Sequence, residues 1–149
     1  MNAPFHFIGI AVRTTNQEYK AQEDLGALWG RFFDEQIPEK IPNKISEEVI
    51  TIYTDYESNF MGAYTAIIGM KVSSLDQIPE GLEGRTFAAA EMNKFLAKGE
   101  MPMAVVDTWI KIWQMDAELN RAYTYDLEVY GPQSMNGAES EVAVYIAVK

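Results

Sequence analysis

Several kinds of chemistry are excluded by what the chain lacks. Its 149 residues include no cysteine and a single histidine, His6, so disulfide bonds and thiolate metal sites cannot form. The residue spacings of calcium loops and zinc proteases are absent, and so are a glycine-rich phosphate loop, a nucleophilic serine elbow and a Cys/His pair. The sequence therefore predicts no metal site, no cofactor and no catalytic residue.

Basic residues are also scarce. The chain has 12 Lys and Arg against 22 Asp and Glu, which gives a formal net charge of −10. Binding to phosphate groups depends on clustered Lys and Arg, so nucleic acid and an anionic membrane surface are unfavourable partners. A negative potential instead attracts cations.

Long apolar runs are missing too. No segment approaches the 18 or so apolar residues of a membrane span, and the N-terminal residues lack the basic and apolar regions of a signal peptide. We therefore expect a cytoplasmic protein. A chain of this length is expected to form one domain, residues 1–149, and to bury roughly 70% of its unfolded surface.

The apolar residues of the first half follow the periods of a strand, a helix and two further strands. Five of them recur at i, i+3, i+4, i+7 and i+8 and form one helical stripe: Leu25, Leu28, Trp29, Phe32 and Phe33. Residues rich in β-branched and aromatic types predict strands on either side of that helix. The predicted segments are a strand at 5–15, a helix at 22–36, and strands at 48–57 and 61–72.

The same order recurs in the second half, after a connector at 73–84 that is rich in Pro, Gly and Ser. Residues 85–97 can supply a strand at their beginning, with a helix as the alternative because of their alanines. The remaining predicted segments are a helix at 101–119 and strands at 121–132 and 139–149.

The two halves can be superimposed residue by residue. A shift of 80 places Trp29 on Trp109, and a shift of 77 places Tyr53 on Tyr130. We therefore predict an α+β fold built from a duplicated strand-helix-strand-strand unit with pseudo-twofold symmetry, in which an antiparallel sheet carries two main helices and a central cleft. The internal repeats are expected at about 4–72 and 85–149.

Two short motifs follow one another in the second half: the tryptophan-bearing helix TWIKIW (108–113) and the strand LEVYGP (127–132), which carries Glu128 and Tyr130. Together with the doubled plan, and with Phe87 in GRTFAAAE, they resemble the GyrI-like effector-binding domains, which also occur attached to AraC-type and MerR-type regulators. The resemblance covers essentially the whole chain. It implies a domain that binds small hydrophobic molecules, often cationic drugs or dyes, in a cleft with a glutamate at its base.

The glutamate of the strand motif stands among apolar residues. Strand alternation places Leu127 and Val129 on one face, with Asp126, Glu128 and Tyr130 on the other. If the first face meets the helices, the second is either solvated or lines the groove between the two copies. The family match and the symmetry-related tyrosine of the first half favour a glutamate that faces a ligand.

The candidate ligand-binding residues are one acid and the aromatic residues expected near the pseudo-twofold axis: Glu128, Tyr130, Tyr53, Trp29, Trp109, Phe32, Trp113 and Phe87. We expect the two symmetry-related tryptophans as walls and the two tyrosines as floor. Rings at helical spacing also suit a core, where Phe33 and Ile112 are expected. Met92, Met101 and Met103 could adapt to varied ligands or simply pack. His6 is expected to be structural or exposed. The acidic residues expected as turn and edge-strand charges are Asp55, Glu57, Asp126, Glu139 and Glu141.

The resulting hypothesis is a stand-alone domain that binds hydrophobic, cationic small molecules as a sensor or a sequestering protein. No DNA-binding helix-turn-helix is expected, and a regulatory protein is a possible further partner. Two alternatives stay open. In the first, Glu128 with Tyr130 or Tyr53 activates water, as in GyrI-like proteins that hydrolyse strained electrophilic compounds. In the second, the acidic surface imitates DNA and the chain inhibits a topoisomerase.

Overall fold

The computed structural model describes residues 3–149, apart from the side chain of Tyr19. Within this range the strands form one seven-stranded antiparallel sheet with the order β4-β1-β3-β2-β6-β7-β5, which confirms the predicted α+β class. The elements are β1 (Phe5–Thr15), α1 (Lys20–Asp34), α2 (Ile37–Lys40), β2 (Val49–Thr54), β3 (Ala63–Val72), β4 (Glu83–Phe87), β5 (Met92–Lys98), α3 (Met103–Gln114), α4 (Asp116–Leu119), β6 (Arg121–Tyr130) and β7 (Glu141–Val148).

The predicted duplication is visible in the pairing of the two central strands. β2 and β6 are antiparallel neighbours, and Thr51 stands opposite Glu128. The shift of 77 that relates the repeats also carries Thr51 onto Glu128, so the pseudo-twofold axis passes between these two residues. Strands β1, β3 and β2 on one side of the axis then correspond to β5, β7 and β6 on the other.

The segment 85–97 contains two strands rather than a strand or a helix. β4 pairs with the outer edge of β1, and β5 pairs with β7 at the opposite edge of the sheet. The alanines between them must cross from one edge to the other, so they cannot coil into a helix. The Tyr125 hydroxyl donates a hydrogen bond to the Ala88 carbonyl (2.6 Å), and the Val148 amide donates to the Glu91 carbonyl (3.0 Å), which fixes the crossing segment.

The two main helices lie on one face of the sheet. α1 packs on β1 and β3, where Ile8, Ile68 and Met70 are buried against it. α3 packs over β7, with Ile112 against Val144. The second helix ends earlier than predicted, because it breaks at Met115 and continues only as the short α4. Within residues 3–149 no helix combines the length and the apolar character that a membrane span requires.

The opposite face of the sheet has a core of its own, and Leu127 belongs to it. Leu127 is fully buried together with Phe7, Ile52 and Tyr125. The face that carries Leu127 therefore does not meet the helices, contrary to the arrangement considered from the sequence. Because side chains alternate along a strand, Glu128 points toward the side on which α1 and α3 lie.

Two neighbouring rings of α1 lie in environments other than those expected. Phe32 is 0% exposed and packs in the core beneath α1, whereas Phe33, expected in the core, is 60% exposed. Adjacent helical positions differ by about 100° in direction, so one of the two must turn away when the other faces the sheet. The prediction that Ile112 is a core residue is confirmed, since it is also fully buried.

We expect Phe32→Ala to lower the free energy of unfolding by about 3 to 5 kcal/mol, because it empties a fully buried ring site. The matched control Phe33→Ala should cost less than about 1 kcal/mol, since that ring is largely exposed. Urea denaturation followed by circular dichroism measures both values. Equal losses for the two variants would contradict this placement of the helix.

Candidate functional site

A cavity of about 550 Å³ lies between α1 and α3, above the central strands β2 and β6. Its lining is mostly apolar and aromatic, with Trp29 on one helix and Trp109 on the other. The fold places it at the pseudo-twofold axis, where the two copies meet. The sheet therefore forms the base of the cavity and the helices form its walls.

Glu128 lies at the base of this cavity with only 2% of its surface exposed. Its Oε2 accepts hydrogen bonds from the Tyr53 hydroxyl (2.8 Å) and from Trp109 Nε1 (2.6 Å), and its Oε1 accepts one from the Tyr130 hydroxyl (2.6 Å). All three donors are neutral. None of the ion pairs among residues 3–149 includes Glu128, so its negative charge is hydrogen-bonded but not neutralised.

Burial dominates the titration of this group. Removal from water raises the pKa of Glu128 above its ordinary value of 4.5, although the bonds from Tyr130, Trp109 and Tyr53 act in the opposite direction. Burial, followed by the nearby carboxylate charge, also holds the pKa values of Tyr53 and Tyr130 well above 10. Both phenols therefore remain protonated donors.

The aromatic side chains around Glu128 contact one another largely edge to face. Trp29 meets Tyr130 with ring centroids 5.1 Å apart at 76°, and Tyr53 meets Trp109 at 5.5 Å and 85°. Such pairs are stabilising beyond their buried area. They hold the ring faces at fixed angles and leave an apolar surface toward the cavity.

Phe60, which was not predicted from the sequence, also lines the cavity. It belongs to the loop between β2 and β3 and stacks on Trp113 with centroids 5.8 Å apart at 10°. Asn16 holds this loop, because its side-chain amide donates to the Phe60 carbonyl (2.9 Å) and its side-chain oxygen accepts from Tyr64 (2.7 Å). Phe60 lies in the loop between two predicted strands, so neither a strand period nor a helix period marked it.

A buried ion pair adjoins the cavity, and its basic member, Arg121, is one of the lining residues. Asp126 is 0% exposed, and its Oδ2 accepts a hydrogen bond from Arg121 Nη2 at 2.7 Å. Tyr56 also donates to Asp126, and the Ala147 amide donates to its Oδ1 (2.9 Å). The expectation that Asp126 is a turn or edge-strand charge is therefore wrong. Strand alternation places Asp126 on the same face of β6 as Glu128, which is the face that meets the helices. This alternation is the sequence feature that could have predicted the burial of Asp126.

Six of the eight predicted ligand-binding residues line the cavity: Glu128, Tyr130, Tyr53, Trp29, Trp109 and Trp113. The structure corrects the placement of the other two. Phe32 lies in the core beneath α1, and Phe87 lies on the opposite face of the sheet, stacked on Phe5 with centroids 5.4 Å apart. The placement of Phe32 depends on how α1 is rotated about its axis, and that of Phe87 depends on which face of the sheet its side chain joins. Both are decided by tertiary packing.

The three methionines with a possible role in ligand contact lie in different places. Met103 lines the cavity and is 59% exposed. Met101 packs against the core beneath α3, and Met92 packs in the core on the opposite face of the sheet. Only Met103 is therefore placed to touch a molecule in the cavity.

The profile of the Cass2 family, described as integron-associated effector binding protein, matches residues 3–148. The chain belongs to this family, which confirms the resemblance to GyrI-like effector-binding domains.

Several known proteins are similar to the chain. The integron cassette protein VCH_CASS2 from the mobile metagenome of Vibrio cholerae is 32% identical, with a TM-score of 0.76 over 100% of this chain and 92% of that one. YobU of Bacillus subtilis strain 168, provisionally named a transcriptional regulator, is 26% identical over 146 residues, 96% of this chain and 91% of YobU. The structure of SAV2435 bound to tetraphenylphosphonium shares the fold, with a TM-score of 0.82 at 16% identity over 99% of this chain and 90% of that one.

We expect the raised pKa of Glu128 to appear in the pH dependence of stability. The folded protein binds a proton at Glu128 more tightly than the unfolded chain does, so this contribution is complete below about pH 4.5 and is lost as the pH rises through the folded-state pKa. Relative to Glu128→Gln, the free energy of unfolding should fall with rising pH, by at most about 1.4 kcal/mol per pH unit. Urea denaturation of both proteins from pH 4 to 8 measures the difference. A difference that is constant with pH would contradict the burial effect.

Proposed function

We propose that the chain is a non-enzymatic binding domain for hydrophobic small molecules that carry one positive charge, and that it acts as a cytoplasmic sensor or sequestering protein. One observation carries the proposal. The cavity holds a single buried carboxylate, Glu128, which neutral donors position and no basic residue of the described chain neutralises.

The energetics favour a cationic ligand. A buried carboxylate without a counter-charge is costly, because it has lost its hydration. A cation about 4 Å away returns on the order of 4 kcal/mol at an effective dielectric constant near 20. Each aromatic face in contact with the cation adds about 0.5 to 2 kcal/mol. Binding of a positively charged apolar molecule at this site is therefore expected to be favourable.

Two similar proteins support a cationic ligand and a regulatory role. SAV2435, which shares the fold, is bound to tetraphenylphosphonium, a molecule with one positive charge and four aromatic rings. YobU carries a provisional name as a transcriptional regulator. By analogy, we propose that occupancy of the cavity is read by a regulatory protein partner.

Hydrolysis is the second candidate function, and the raised pKa of Glu128 is the observation in its favour, because it suits a general base. A general base must also have a lone pair free for water. Three of the roughly four acceptor positions of the carboxylate are already taken by Tyr53, Trp109 and Tyr130. One position therefore remains for a water molecule, but the three bonds stabilise the ionised carboxylate and so weaken it as a base. For this reason we favour binding over turnover. No feature of the cavity supports the third candidate, an acidic topoisomerase inhibitor.

We expect Glu128→Gln to weaken tetraphenylphosphonium binding at least about tenfold, because it removes the counter-charge and keeps the shape of the site. Binding of a neutral analogue, tetraphenylmethane solubilised in a co-solvent, should change by less than about threefold. Isothermal titration calorimetry with the phosphonium, and tryptophan fluorescence with both compounds, give the affinities. If the unsubstituted protein and Glu128→Gln bind the phosphonium with equal affinity, Glu128 is not the counter-charge for the cation.

The hydrogen bonds to Glu128 also predict which type of cation binds. A primary ammonium has three N–H donors, but the carboxylate retains about one free acceptor position, so the other donors depend on the few hydroxyl and amide oxygens of a mostly apolar lining. Each donor that stays unsatisfied costs about 1 to 3 kcal/mol. A quaternary cation has no N–H donor and avoids this cost. The proposed ligands are therefore quaternary or charge-delocalised cations.

A matched pair of ligands tests this discrimination. We expect 4-phenylbenzyl-trimethylammonium to bind at least about tenfold more tightly than 4-phenylbenzylammonium, because only the second brings unsatisfied donors. Calorimetric titration at pH 7 compares the two. Glu128→Gln is the control, since both affinities should fall in that variant. Tighter binding of the primary amine would show that the donors around Glu128 rearrange.

A further inference from the structure

Gly26 lies in the interior of α1 and lines the cavity. Glycine in a helix interior destabilises the helix relative to alanine. A Cβ atom built at Gly26 meets no atom within 4 Å outside its own helix backbone and chain neighbours. Neither a left-handed backbone nor a close packing contact therefore requires glycine here.

The pseudo-twofold symmetry shows what the missing side chain changes. The shift of 80 that superimposes Trp29 on Trp109 places Gly26 on Val106, and both of these residues line the cavity. The neighbouring lining positions also correspond, since Leu25 falls on Val105. The two walls thus carry apolar side chains at corresponding positions except at Gly26. There α3 presents the isopropyl group of Val106 and α1 presents bare backbone.

We propose that Gly26 determines the shape of the ligand that the cavity accepts. Gln22, Gly26 and Trp29 are spaced i, i+4 and i+7, so they share one face of α1. The missing side chain leaves a flat strip of helix surface between Gln22 and Trp29, on which an aromatic ring of the ligand can lie. The inference rests on the proposed function.

The ligand class follows from where the space lies. A cation with several rings radiating from the charge has more surface to place against the two helices than a cation with one small ring. At Gly26 α1 carries no side chain, whereas α3 carries Val106 at the corresponding position, so the larger cation gains more from the space on the side of α1. The site is therefore suited to bulky polycyclic cations in preference to single-ring cations.

Gly30 provides the matched control. It lies one turn further along α1, a Cβ atom there also meets no atom within 4 Å, and it is not among the residues that line the cavity. Gly26→Leu and Gly30→Leu should both keep the protein folded and raise the Tm by about 1 to 3 °C, because leucine is the better helix former.

The experiment measures binding of two probe cations, tetraphenylphosphonium and benzyltrimethylammonium, to the full chain and both variants. We expect Gly26→Leu to weaken the phosphonium at least about tenfold, since the new side chain fills the strip, and to change the single-ring cation by less than about twofold. Gly30→Leu should leave both affinities within about twofold of the unsubstituted protein.

The outcomes separate this inference from the proposed function. If Gly26→Leu binds the phosphonium as tightly as the unsubstituted protein, or if Gly30→Leu loses as much affinity, the role of Gly26 is overturned while cation binding stands. If Gly26→Leu weakens the binding of both probes equally, the new side chain blocks entry to the cavity without selecting for ligand shape. That result also overturns the role of Gly26. If neither probe binds the unsubstituted protein, the proposed function itself fails.

Discussion

The cavity is built around the need to keep one carboxylate buried and still satisfied. Removal of Glu128 from water is costly, so its oxygens require donors, and these come from three different elements: Tyr53 from β2, Trp109 from α3 and Tyr130 from β6. Neutral donors fill the lone pairs without cancelling the charge. An arginine or lysine in the same place would have satisfied the carboxylate and removed its attraction for a cation. Hydrogen bonding and charge neutralisation are thus separated at this site.

The duplicated fold forms the cavity, and the residues that differ between the two copies give the cavity its charge and its shape. The axis passes between Thr51 and Glu128, so the fold places one acid at the centre and a threonine opposite it. Two carboxylates at that distance would disfavour ionisation of one another. The walls show the same principle, because matched tryptophans face the cavity from both helices while Gly26 stands where the other copy has Val106. The symmetric fold therefore contains one anionic residue at its axis and a cavity wall on α1 that lacks one side chain.

The two faces of the sheet divide the tasks of stability and binding. The face with Leu127 is a closed apolar core, covered where the segment between β4 and β5 crosses it. The helix-bearing face contains packed regions beneath α1 and α3, the ion pair of Arg121 with Asp126, and the cavity between the helices. Burial on the first face does not depend on what fills the cavity. The structure can therefore tolerate an uncompensated charge on the second.

The sequence by itself determined the periods of the elements, the duplication, and the shared face of Glu128 and Tyr130, because these depend on spacing along the chain. Only the tertiary structure decided which face of β6 meets the helices, which of Phe32 and Phe33 turns inward, and that Arg121 reaches Asp126 across an irregularity in strand register. Local periodicity fixes the directions of side chains relative to one another within an element. Their surroundings depend on the partner that packs against that element, and residues distant in sequence supply that partner.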